Sequence, residues 1–64
     1  MPETGKHEIL FEFVTLGTSV KVTAIDAATG VEASIVGPAS SPRAALEAAA
    51  LQKLRYVQSK EEKR

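Results

Sequence analysis

Apolar and polar residues alternate along the first half of the chain, the spacing of strands, and recur at helical spacing along the second. From His7 to Leu16 the chain is rich in β-branched and aromatic residues. Gly17-Thr18 then offers a two-residue connection with glycine first, which suits a type II′ hairpin turn. A second strand is predicted from Ser19 to Asp26. Asp26-Ala27-Ala28-Thr29-Gly30 predicts a turn, since Asp bonds its own following backbone and Gly accepts a positive φ. A third strand follows from Val31 to Val36. Gly37-Pro38-Ala39-Ser40 then connects to the helix, with Pro38 expected to stop the third ladder and to keep Gly37 out of helical angles.

These turns dictate registers. Across the first, Thr15 faces Val20, Phe13 faces Val22, Phe11 faces Ala24 and Ile9 faces Asp26; across the second, Asp26 faces Val31, Ala24 faces Ala33 and Val22 faces Ile35. The same sheet face stays apolar through both hairpins, and a one-residue slip in either would send half of the apolar set to the other side. The expected core face is therefore Ile9, Phe11, Phe13, Val20, Val22, Ala24, Val31, Ala33 and Ile35.

Ser41 to Val57 is the one segment with helical composition and a start signal: Ser41 as N-cap and Pro42 at the first helical position. At about 100° per residue, Leu46, Ala49, Ala50, Leu54 and Val57 share a face, with Lys53 at its edge. Past Val57, with no glycine cap, the helix is expected to fray into a charged tail. The predicted fold class is α+β, a three-stranded antiparallel meander (β-β-β-α) with the C-terminal helix on one sheet face. The whole chain, 1–64, forms one domain: a flexible start at 1–6, a folded core at 7–58 and a charged tail at 59–64.

The opposite sheet face carries Leu10, Glu12, Val14, Leu16, Lys21, Thr23, Ile25, Glu32, Ser34 and Val36, neither a clean solvent face nor a second core. Leu10, Val14, Leu16, Ile25 and Val36, around Lys21, make an apolar patch of a size that tends to mark a partner surface. The alternative is that Glu12, Lys21 and Glu32 keep this side wet and the apolar groups are ordinary scattered exposure.

A 64-residue chain buries only about 60% of its unfolded surface, and with no cysteine it has no disulfide or thiolate metal site to reinforce it. The absence of cysteine fits a reducing cytoplasm. No apolar run approaches the ~20 residues of a membrane span, and the start lacks a signal peptide's basic and apolar blocks. A cytoplasmic location is the expectation. Eight Lys and Arg balance eight Asp and Glu, so no global field gathers nucleic acid or membrane. From Arg43 onward the balance tips mildly basic, in keeping with a solvated helix face.

Little in the sequence carries chemistry. His7 is the sole histidine, so a metal site would need scattered carboxylates or another chain to complete it. Glu8, Glu12 and Glu32 could approach each other only across strands, and a three-stranded sheet with one helix has little room for the pocket that acid/base work needs. No nucleophile–base pair or cofactor fingerprint is present, and no catalytic residue, metal or cofactor is expected. The one site-like feature is the helix start, where Ser40, Ser41 and Arg43 could hold a phosphate or carboxylate, though without the spacing of a P-loop.

The runs Ile-Leu-Phe-Glu-Phe-Val (9–14), Val-Lys-Val-Thr-Ala-Ile-Asp (20–26), Thr-Gly (29–30) and Ser-Ile-Val-Gly-Pro-Ala (34–39), leading into the alanine-rich helix, resemble a family of small uncharacterised alphaproteobacterial proteins. That resemblance covers about His7 to Val57 and implies a bacterial cytoplasmic protein of one domain, with no activity to transfer. The order of three strands and an alanine-rich helix is also similar to the C-terminal part of the double-stranded RNA-binding domain. Here the basic cluster at that family's helix start shrinks to Arg43, Glu47 has the opposite sign, and residues 1–6 hold no counterpart of its first helix.

The sequence thus predicts a non-enzymatic protein-interaction module that self-associates, as a homodimer, through the open sheet face. A double-stranded-RNA-binding-like module and weak anion binding at the helix N-terminus are the alternatives. The former requires Lys21, Arg43, Lys53 and Arg55 to form one surface.

Overall fold

The computed structural model describes residues 8–62. The expected flexible start at 1–6, His7, Lys63 and Arg64 lie outside the described residues. Strands β1 (Ile9–Leu16), β2 (Ser19–Asp26) and β3 (Glu32–Pro38) form one antiparallel sheet in the order β1-β2-β3, followed by helix α1 (Arg43–Glu62). The fold class is the predicted α+β meander.

Both registers are the expected ones. Phe13 pairs with Val22 and Phe11 with Ala24 across the first hairpin; Val22 pairs with Ile35 and Ala24 with Ala33 across the second. Gly17 has φ +62° while Thr18 has no positive φ, the signature of a II′ rather than a I′ turn. In the second turn Asp26 Oδ1 accepts the amides of Ala28 (2.8 Å) and Thr29 (3.3 Å), and Gly30 takes the left-handed conformation at φ +80°.

Asp26 also ties the turn to the helix, its Oδ2 accepting the Gln58 side-chain amide at 2.6 Å. Asp26→Ala is expected to lower stability by about 1–2 kcal/mol, since the Ala28 and Thr29 amides and the Gln58 side chain lose a carboxylate acceptor at a half-buried site. Thermal unfolding checks this, and Asp26→Asn, which keeps an acceptor, should fall between.

Four details differ from the sequence expectation. The third ladder does not stop at Pro38: Pro38 pairs with Ser19, and the Ala39 amide continues to the Thr18 carbonyl at 2.8 Å. In this register the even-numbered residues of β3 point their amides away from β2, so the donor that proline lacks would have faced outward and no ladder bond is lost.

The helix is also rotated from the expected stripe. Leu46, Ala50 and Leu54 are buried, Leu51 and Val57 are half-buried, and Ala49 is exposed. Turning Leu51 rather than Ala49 toward the sheet removes more apolar surface from water.

In addition, α1 continues to Glu62 instead of fraying after Val57. Gln58 is anchored on Asp26, the Lys60 ammonium lies 5.3 Å from the centre of the Tyr56 ring, and Lys60 suits the negative end of the helix dipole.

The helix start is shifted by one residue from the expected cap. Pro42, not Ser41, gives the first helical carbonyl, accepting the Ala45 (3.1 Å) and Leu46 (3.2 Å) amides, while the Ser41 amide closes a turn on the Pro38 carbonyl (3.0 Å). Among the described residues the Ser41 hydroxyl caps no helix amide.

The core is Val20, Val22, Ala24 and Ala33 from the sheet with Leu46, Ala50 and Leu54 from α1. The helix packs on β2 and β3. Its offset leaves Ile9, Phe11 and Phe13 of β1 half-buried.

Candidate interaction surface

Strand alternation puts the face opposite α1 into four rows across the sheet. Leu10, Ile25 and Glu32 form the first; Glu12, Thr23 and Ser34 the second; Val14, Lys21 and Val36 the third; Leu16, Ser19 and Pro38 the fourth. Leu10, Val14, Leu16 and Val36 are 42–62% exposed, Ile25 is half-buried and Lys21 is exposed. The residues expected to make an open face are therefore on one surface, and no described element covers it.

Thr23, at the middle of that face, is nonetheless buried at 7% exposure. Its hydroxyl and that of Ser34 share a 2.8 Å hydrogen bond, which satisfies both on the central row. The charges are separated along the strands: Glu32 and Glu12 occupy the first two rows and Lys21 the third. Among the described residues Lys21 makes no ion pair.

At the helix start the candidate anion residues are arranged differently from a phosphate cradle. Ser40 is exposed and Ser41 half-buried. The Arg43 guanidinium stacks over Phe13, 4.2 Å from the ring centre, and its Nε lies 3.5 Å from Glu47 Oε2. A carboxylate and an aromatic face thus hold the side chain that was to meet an anion. Phe13, Thr15, Val20, Ser41, Arg43 and Leu46 line a shallow groove here. The Arg43–Phe13 stack joins the helix to a strand thirty residues earlier, with no local spacing to announce it.

The remaining cations do not converge with Arg43. Lys21 is on the open sheet face, and Lys53 lies ten residues along the helix from Arg43, about 15 Å. Lys53 Nζ donates to the Ser34 carbonyl at 2.8 Å, while Arg55 is exposed. Among the described residues no three His, Cys, Asp or Glu side chains gather to hold a metal ion. No helix among them is long and apolar enough to cross a membrane.

A family model described as a domain of unknown function, DUF6898, matches residues 6–61. Comparison with curated proteins and with solved structures finds no significant match.

Proposed function

We propose, for a chain that belongs to the DUF6898 family of unknown function, a role as a non-enzymatic protein-interaction module that self-associates through the open sheet face. The observation that carries this is the exposure of Leu10, Val14, Leu16 and Val36 on one face that no described element covers. Two copies of such a face can remove it from water together, and isologous pairing needs only one surface.

The charges fit the same partner. A two-fold axis lying across the strands, between two stacked sheets, interchanges the second row with the third. Lys21 of each copy then approaches the row that holds Glu12 in the other, and no row of carboxylates meets its own like. The alphaproteobacterial and cytoplasmic setting implied by the resemblance belongs to this proposal.

Val36→Lys tests it, because it puts a second cation beside Lys21 on the same row, facing Ser34 rather than Glu12 of the other copy, while leaving the ladder bonds in place. Light scattering is expected to show the solution mass halved, with an unchanged far-ultraviolet circular dichroism spectrum. A mass that does not respond to the substitution contradicts the proposal.

A further inference from the structure

The sheet has two edges, and they are not equivalent. The Ala27 amide donates to the Glu8 carbonyl (3.0 Å) and the Asp26 amide to the Val31 carbonyl (2.9 Å), which fixes the phase of both ladders. In that phase Leu10, Glu12, Val14 and Leu16 bond inward to β2. The amides and carbonyls of Ile9, Phe11, Phe13 and Thr15 point out from the β1 edge, and among the described residues they have no partner.

On β3 the corresponding edge is blunted. Pro38 brings no donor to it, and the Ser34 carbonyl is taken by Lys53 Nζ at 2.8 Å. The edge of β1 has neither device: its eight residues hold no Pro, Gly or Lys and run without a bulge. Beside it, Phe11 and Phe13 remain half-exposed because α1 lies over β2 and β3. An open edge and half-exposed aromatics on the same strand, Phe13 with the Arg43 guanidinium over its ring, are independent observations that point to the same place.

We propose that β1 pairs antiparallel with β1 of a second copy, joining two sheets into one of six strands. A strand seated there must present apolar residues at alternate positions toward the helix side, and Ile9, Phe11 and Phe13 have that pattern. β1 is therefore its own complement, with Phe–Phe or Phe–Ile pairs across the seam. The register that sets Phe11 opposite Phe13 of the other copy would set Glu12 directly against Glu12 of the other copy. Like-charge repulsion therefore selects a register shifted by two residues, and the one that keeps Thr15 within the seam sets Phe13 opposite Phe13, Phe11 opposite Thr15 and Glu12 opposite Val14.

This surface is separate from the open face. With both in use, two six-stranded sheets stack into an assembly of four copies. Thr15→Pro tests the edge alone, since the amide it removes faces outward and edge strands accept proline there.

Light scattering on the unaltered chain, Thr15→Pro and Val36→Lys is paired with amide exchange followed by nuclear magnetic resonance. The expected result is a mass halved by Thr15→Pro, and in the unaltered chain Phe11 and Phe13 amides that exchange as slowly as those of β2. Fast exchange at these two amides overturns the edge pairing, whether or not Thr15→Pro folds. So does slow exchange that persists in a monomer. If Thr15→Pro halves the mass and Val36→Lys does not, the open-face proposal fails and the edge pairing stands.

Discussion

Leu54→Ala is expected to remove most of the folding stability of this chain. Leu54 is fully buried and is one of the two largest side chains with no exposure, the other being Val22. Truncation loses the transfer free energy of the removed carbons and leaves a cavity between helix and sheet, about 2–5 kcal/mol together. A domain of this length has about 3–10 kcal/mol in total. The urea midpoint should therefore fall steeply, and at the upper end of that range the variant is unfolded in buffer.

Ala49→Ser is the control. Ala49 is exposed, and its substitution should change stability by no more than about 0.5 kcal/mol. Equal losses at the two positions would show that the helix face is centred elsewhere.

Gly37→Ala is the second large effect, and it has nothing to do with backbone angles, since Gly37 has no positive φ. A Cβ at this position would lie 2.8 Å from Leu46 Cδ2. Leu46 is itself buried at 8% exposure, so the methyl must take a poorer rotamer toward the groove it lines or push the helix start from the sheet. Overpacking of this kind costs about 1–3 kcal/mol.

The cause is separable by a double-mutant cycle. Leu46→Ala removes the clashing methyl, so Gly37→Ala should cost much less in that background than in the unaltered chain. Additive losses would place the strain elsewhere, in the strand backbone or the turn through Ser41.

Much of the fold was legible because it is set by neighbours in sequence. Gly17 and the Asp26–Gly30 turn each determine how two strands align, and the alternation of Phe11, Phe13, Val20, Val22 and Ala24 accepts only one face as core. The open face followed from the same alternation, so Leu10, Val14, Leu16 and Val36 could be placed together without coordinates. The Asp26 turn bonds were equally local. The interaction of Asp26 with Gln58 was not, because thirty-two residues separate them.

What the chain by itself determined is the strand order, both registers, the two turns and the identity of the open face. Each depends on side-chain period or turn chemistry, which act over a few residues. The tertiary structure alone decided the rotation that turns Leu51 rather than Ala49 toward the sheet, the close approach of Leu46 to Gly37, and the Arg43–Phe13 stack. It also decided that Pro38 could stay in the ladder and that Lys53 would occupy the edge of β3, while among the described residues nothing occupies the edge of β1. All of these depend on where a twenty-residue helix comes to rest on the sheet. That position is fixed by the sum of many apolar contacts between distant segments, and no single stretch of sequence encodes such a sum.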